Sequence, residues 1–287
     1  DLHSFPTRRS SDLEPAASKT PKDARKPIEP ADHLPVTDEG VFGAAEGHST
    51  RSLAIDPLDG SMYVGVGSMG NIAVEPKVKA TIQKFDASGD VQSTFASGTR
   101  NPIGLSIHPK TGKLWAVVQE RDGLGNRLVP DYLTEVSQGD FFGWPYSYTG
   151  TNPQPGFAKR APDKVKQASR PSVLFEAHSA PMDFAWIPDS WPEDMRGSAV
   201  VALKGSWNRE DPTGYKVVIA HFEGGKPTGE YTNLVTGFWV RGKNRAEVWG
   251  RPADVAFLPD GGLLIADDSG GTIWKIKPPV LDRKSVV

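Results

Sequence analysis

Cysteine is absent from this 287-residue chain, which excludes disulfides and thiolate-ligated metals outright. The compartment stays open, because exported proteins need not contain cysteine. No apolar run approaches the ~20 residues that a membrane-spanning helix needs. The opening stretch DLHSFPTRRSSDL has neither an initiating methionine nor an apolar centre, so it does not read as a signal peptide. N-x-S/T sequons are missing, and so is any helix-length hydrophobic period of 3.6. A one-sided charge is missing too. The formal net charge of −2 gives no reason to expect nucleic acid or an anionic membrane as a partner.

What is present points to an all-β protein. There are 30 glycines, 25 prolines and eight tryptophans, with many short Val/Ile/Tyr runs. A unit of apolar strand, proline-anchored turn and second apolar strand recurs. It appears as LAIDPLDGSMYVGVG (53–67), GLSIHPKTGKLWAVVQ (104–119) and DVAFLPDGGLLIADD (254–268). A stretched copy is MDFAWIPDSWPEDMRGSAVVALKG (182–205). Further strands fit between copies, at ATIQKFD, VQSTFA, KVVIAHFE and YTNLVTGF. Repeats of this size with several strands each predict a β-propeller of four-stranded antiparallel blades. Four blades are visible, the last with only about three strands, and residues 120–180 read as a loop-rich insertion. The expected organisation is a non-native or disordered tail at 1–13 and a linker or partial preceding blade at 14–47. The propeller then fills 48–277, with a second tail at 278–287. A propeller left open would expose sheet edges, which implies N-terminal blades missing from this piece.

GVGSMG (65–70) matches G-x-G-x-x-G, but that motif needs a helix directly after it to receive a pyrophosphate. Pro76 stands where the helix would run, so the glycines are assigned to a strand-end turn. His48 precedes the first inner strand. It reads either as a loop histidine bonded to a neighbouring blade or as a general base near neutral pH. Arg100 and Asn101, in TRNPIGL, occupy the equivalent place one repeat later. Lys204 ends a strand and Arg251 precedes one. Each cation alone is compatible with a surface charge, but all fall at corresponding strand ends, which converge on one face of a propeller. Together they suit a compact ligand bearing several carboxylates. QERDGLGNRLVPDYLTEV (119–136) fits no EF-hand spacing and reads as a solvated loop.

Eight stretches carry a resemblance: GHSTRSLA, TRNPIGL, PDYLTEV before FFGWPYSY, AHSAP, ALKGSWNR with PTGYKVV, and GRPADVAF. Over roughly His48 to Lys277 the chain resembles the soluble pyrroloquinoline-quinone (PQQ)-dependent sugar dehydrogenases of the glucose/sorbosone branch. The resemblance implies a six-bladed propeller, so the four visible blades imply a truncated N-terminus. It also implies a sugar substrate, an external electron acceptor and a periplasmic or secreted location. Carried over by position, His48 becomes the general base and Arg100 the arginine beside the reactive quinone carbonyl. Asn101 becomes an adjacent cofactor contact, and Lys204 and Arg251 hold cofactor carboxylates. The backbone carbonyls of Glu120 and Arg121 would bind a calcium ion. Ser68 stands where glucose-oxidising members carry an acid supporting the histidine, and Ala253 replaces a second arginine. Asp131 is kept at a further calcium site, but Tyr132 replaces an acid there. A propeller lactonase, which needs inward carboxylates around a metal, and a non-catalytic glycan- or protein-binding propeller are the alternatives. Substrate selectivity is expected in 120–180 and around Trp207, Asn208 and Arg209.

Overall fold

The computed structural model describes residues 40–44 and 46–278, with the backbone of two short strands at 8–9 and 14–15. The remaining parts of the expected tails and linker lie outside the described residues. Four antiparallel meanders dominate. The first comprises Arg51–Ile55, Met62–Val66, Thr81–Phe85 and Gln92–Ser97. The second runs Asn101–Ile107, Leu114–Gln119, Pro130–Val136 and Val173–Ala177. The third is Pro181–Trp186, Ala199–Leu203, Lys216–Glu223 and Lys226–Thr236. The fourth has Pro252–Phe257, Leu263–Asp267 and Thr272–Ile276. This is the β-propeller-like arrangement expected from the repeats.

Three readings need correction. The last sheet is not limited to three strands, because Glu14–Pro15 pairs antiparallel with Thr272–Ile276 as a fourth. Residues 120–180 are not an insertion of loop alone, since they hold the third and fourth strands of the second sheet. In PDYLTEV both faces are buried, and Asp131 and Thr134 take buried positions on opposite faces, so no polar–apolar alternation marks the strand. A short helix, Pro162–Gln167, also lies here, with proline in its first turn and no buried residue. At six residues it is too short to show a hydrophobic stripe.

The core sits between successive sheets. Alternation with period two sends Leu114, Ala116 and Val118 towards the first sheet, where they meet Ala54, Tyr63, Ile82 and Ala96. Trp115 and Val117 of the same strand point the other way, against Phe184, Val201, Leu203 and Phe222. In the third sheet Val200 and Ala202 face Val255, Leu263 and Ile265 of the fourth. A strand covered on both faces has no polar side, which explains the unbroken apolar runs LWAVV and AVVAL. Trp115 is fully buried and meets Trp186 and Phe222 edge-on, with centroids 5.7 and 4.9 Å away.

The two outer faces differ from the covered ones. On the first sheet Val64, Val66 and Phe85 pack only against Met62 and the Val41–Phe42 turn. Leu53 and Ile55 are each 55% exposed there, and Ile273 on the fourth sheet is 53% exposed. No further sheet covers these residues among the described residues.

Candidate functional site

The N-terminal ends of the inner strands gather the polar residues. Backbone bonds tie two sheets together: His48 N donates to Ser68 O at 3.0 Å, and Ser68 N donates to Arg100 O at 2.8 Å. Gly67 makes this possible, because a Cβ there would lie 2.5 Å from His48 Cβ and 2.6 Å from Asn101 Oδ1. No helix follows GVGSMG, as Pro76 leads one to expect.

His48 Nδ1 lies 2.9 Å from Ser68 O and 3.0 Å from Ser68 Oγ. The hydroxyl donates to Gly70 O at 2.7 Å, so Nδ1 carries the proton and donates to the Ser68 carbonyl. That leaves Nε2 with a free lone pair. Burial and the neighbouring Arg100 charge lower the His48 pKa, against the opposing pull of the Ser68 carbonyl. The imidazole is therefore neutral near pH 7. Ser68 orients it through its main chain, so no acid is needed at that position. Glu75 in turn fixes the turn, accepting from Met69 N and Gly70 N at 2.7 and 2.9 Å.

Arg100 is 6% exposed and stretched across backbone oxygens. Its Nε donates to Asn71 O (3.1 Å), Nη1 to Glu120 O (2.9 Å) and Gln119 O (3.4 Å), and Nη2 to Asn71 Oδ1 (3.2 Å). Four of the five guanidinium N–H groups are thus used. The fifth, on Nη2, faces Asp122 Oδ2 at 4.0 Å. Asn101 Nδ2 donates to Gln119 Oε1 at 3.1 Å, and Gln119 Nε2 reaches Pro181 O at 3.0 Å.

His48, Arg100 and Glu120 line one cleft together with Asp122, Asp131, His178 and Trp207, enclosing about 130 Å³. Ligand pockets are usually about 300–1,000 Å³, so a multi-ring ligand would project beyond it. Lys204 and Arg251 do not line this cleft. They form an adjoining cluster, linked to it where Lys204 N donates to Ala180 O and Gly205 N to Ser179 O. Arg251 donates to Lys204 O at 3.2 Å and Gly205 O at 2.8 Å. It also lies over the Tyr215 ring, while Lys204 pairs with Asp268.

Beneath the cleft, Glu120 and Asp131 are buried together. Burial raises Glu120 to about 8 and Asp131 to about 6. Asp131 spends its oxygens on Glu120 N (2.8 Å), Ala180 N (2.9 Å) and Ser179 Oγ (3.3 Å). Glu120 Oε1 and Tyr132 Oη are buried without a partner. With Glu120 protonated at neutral pH, Asp122 is the ionised carboxylate beside Arg100. Its hydrogen bonds from His178 and Asn208 and the Arg100 charge outweigh burial and lower its pKa. Asn71, Asp122 and His178 carried no assignment from the sequence. The motif AHSAP was the visible signal for His178.

Of the two carbonyls expected to bind calcium, that of Glu120 also accepts from the Arg100 guanidinium, which leaves its second lone pair for an ion. Among the described residues no group of three or more His, Asp or Glu side chains is arranged to hold a metal. The free donor of Arg100, the neutral His48 and the Lys204–Arg251 cluster supply cations and an acceptor along one rim.

Residues 39–279 match the family model described as TrAA12-like. An uncharacterized protein of Borreliella burgdorferi is 29% identical over 233 residues, which cover 80% of this chain and 60% of that protein. A pyrroloquinoline quinone-dependent pyranose dehydrogenase of Coprinopsis cinerea is 26% identical over 296 residues, 80% of this chain and 39% of that protein. The chain thus spans less than two thirds of either curated relative. The holo PQQ domain of the C. cinerea pyranose dehydrogenase has the same fold, with a TM-score of 0.64 at 23% identity, covering 80% of this chain and 70% of that one. The soluble aldose sugar dehydrogenase of Escherichia coli gives 0.55 at 17% identity, with 79% and 63% covered. The family match spans most of the chain, and on that ground the chain belongs to the TrAA12-like family and shares the fold of the soluble PQQ sugar dehydrogenases.

Proposed function

We propose that the parent protein is a PQQ-dependent dehydrogenase that oxidises the anomeric hydroxyl of an aldose or related pyranose. The observation that carries this reading is the pairing, in one cleft, of a histidine with a free Nε2 and an arginine with one free N–H. When bound, PQQ supplies the electrophilic quinone that accepts the hydride from the sugar carbon. His48 Nε2 takes the hydroxyl proton, and the proton stays on the imidazole until solvent removes it. The Ser68 carbonyl stabilises the imidazolium formed. The Nη2–H of Arg100 that lacks a hydrogen-bond partner would stabilise negative charge developing on a quinone oxygen. Lys204 and Arg251 hold carboxylates, and Asn101 lies at the edge of the same site.

The reading carries its family setting with it. Six blades would cover the apolar faces at Leu53, Ile55 and Ile273, and an external acceptor would reoxidise the cofactor outside the cytoplasm. Titration with PQQ, followed by tryptophan fluorescence with and without a chelator, tests the reading. Saturable quenching that Arg100→Ala abolishes supports it. Equal quenching by wild type and Arg100→Ala would sink the cofactor assignment, and loss of binding with chelator would place calcium in the site.

A further inference from the structure

The AHSAP turn has unusual backbone geometry. His178 and Ala180, neither of them glycine, sit at φ +68° and +53°. Such conformations cost on the order of 1–3 kcal/mol each and persist where the surroundings over-determine them. Here they are held from three sides: by Asp131, which accepts from Ala180 N, and by Lys204 N and Gly205 N, which donate to Ala180 O and Ser179 O. A Cβ on Gly214 would lie 2.6 Å from Ser179 O, so the third sheet closes over the turn. The strained turn places the buried His178 ring against the loop that follows Gln119.

Both ring nitrogens of His178 face acceptors. Nδ1 is 3.0 Å from Asp122 Oδ1, and Nε2 is 2.9 Å from Gly125 O. Only a ring with an N–H at both positions satisfies the two contacts. The Asp122 hydrogen bond comes first among the influences that raise this histidine's pKa, with Gly125 and Asp131 adding to it against burial. Asp122 Oδ1 also accepts from Asn208 Nδ2 at 2.8 Å. The main chain of Asp122 is clamped by Asn71, whose Oδ1 accepts from Asp122 N at 2.8 Å and whose Nδ2 donates to Asp122 O at 3.0 Å. Asp122 therefore has its backbone fixed and one carboxylate oxygen doubly engaged. Its other oxygen stops 4.0 Å short of the last free N–H of Arg100. A charged pair at full contact would lie about 2.7–2.9 Å apart.

We propose that His178 is a positioning residue: together with Asn208 it holds Asp122 back from Arg100, so that the remaining guanidinium N–H stays open to an anionic ligand. Without this restraint Asp122 swings about 1 Å and takes the donor itself. His178 acts through Asp122, and its effect on ligand is a loss of competition rather than a contact. The inference rests on the reading of the cleft as a quinone site only for the choice of probe.

The test is a double-mutant cycle on the full chain. PQQ affinity is measured for wild type, His178→Leu, Asp122→Asn and the double variant, with thermal melting as a check of folding. His178→Leu is expected to weaken PQQ at least about tenfold. Asp122→Asn is expected to bind as well as wild type or better, and the double variant to recover most of the loss. Loss of a merely structural histidine would not be repaired by changing Asp122. A double variant as weak as His178→Leu overturns the proposal. Should His178→Leu melt early, His178→Gln keeps one donor to Asp122, and the same rescue is sought in that background. If wild type binds no PQQ, the functional reading fails, and ¹⁵N NMR of the side chains decides the inference instead. Two protonated ring nitrogens on His178, with an Arg100 Nε–H resonance that shifts in His178→Leu and returns in the double variant, support it. A singly protonated His178, or an unmoved Arg100 signal, overturns it.

Discussion

At one end of the inner strands lie His48, Arg100 and His178; at the other lie the turns that open at Asp56, His108 and Leu258. Apart from His108 Nε2, the turn end satisfies its polar groups locally. Asp56 Oδ1 accepts from Leu58 N at 2.9 Å, and Gly60 N returns to Asp56 O. His108 plays the same part in the next sheet, with Nδ1 accepting from Lys110 N and Thr111 N at 3.1 and 3.2 Å. Asp260 does so in the fourth, accepting from Gly262 N at 2.8 Å. The site end satisfies its polar groups across the fold, as in His178 to Asp122 or Gln119 to Pro181. It also contains strained residues and buried oxygens without partners. Local closure makes a turn that stabilises and does little else. Long-range closure costs more and leaves donors and acceptors aimed into a shared space.

The sharpest way to break this contrast is to remove the base. His48→Gln in the PQQ-loaded protein is expected to lower dye-coupled sugar oxidation by roughly 10²–10⁴-fold, with an unchanged melting temperature. Turnover at the wild-type rate would move the base elsewhere. The next largest effect compares two glycines. Gly67→Ala drives a Cβ into His48 and Asn101 and is expected to cost about 10² in rate through misplacement of the base. Gly112, at the turn end, has φ +66° and nothing within 4 Å of a Cβ. Gly112→Ala should cost about 1 kcal/mol in denaturant unfolding through backbone strain alone and leave the rate untouched.

What the sequence disclosed follows the same division. The repeats, the inner strands and the strand-end positions of His48, Arg100 and Asn101 were readable because alternation and turn residues are local signals. So were the glycines of GVGSMG, once Pro76 ruled out a helix. The strand Pro130–Val136 was not readable, because Asp131 and Thr134 are polar residues on buried positions. The pairing of Glu14–Pro15 with the last sheet leaves no trace in either segment. The partners of Asp122 come from 56 and 86 residues away, and a histidine at positive φ has no spacing that announces it. Lys204 and Arg251 were read as strand ends converging on one face, and they sit in a cluster beside the cleft without lining it. Strand register alone does not say which side chains turn into the cleft.

One histidine at each end, His108 and His178, acts on opposite limbs of the stability–pH curve. Burial lowers the pKa of His108, whose Nε2 is buried without a partner and whose ring lies 4.3 Å from that of Trp186. The folded state disfavours its protonation, so its contribution is present above the unfolded value of about 6.5 and is lost as pH falls through the lower folded value. His178 has a raised pKa, so its contribution is full below about 6.5 and is lost as pH rises through the higher folded value. Each tenfold change in proton affinity is worth about 1.4 kcal/mol. His108→Asn keeps an acceptor for the turn, as Asp56 does, and is expected to flatten the acid limb below about pH 6.5 while leaving the alkaline limb as it was. Urea unfolding across that range decides it, and an unaltered acid slope would remove His108 from the account.

The smallest expected effect concerns ion pairs, which occur at both ends in different surroundings. Lys110 and Asp189 join the turns of the second and third sheets at 2.8 Å, with side chains 61% and 69% exposed. Lys204 and Asp268 pair at the site end with side chains 24% and 41% exposed. Solvent and salt screen the first pair, and ordering two long side chains offsets most of the attraction. Lys110→Met should change unfolding free energy by less than about 0.5 kcal/mol, and that little should vanish in 0.5 M salt. Lys204→Met is expected to be nearly as mild for stability yet to weaken PQQ binding. On the proposed reading the lysine holds a cofactor carboxylate; its substitution also leaves Asp268 without its partner. If Lys110→Met instead costs more than about 1 kcal/mol, the turn end relies on contacts between sheets after all, and the local closure seen at Asp56 and His108 is not what keeps it folded.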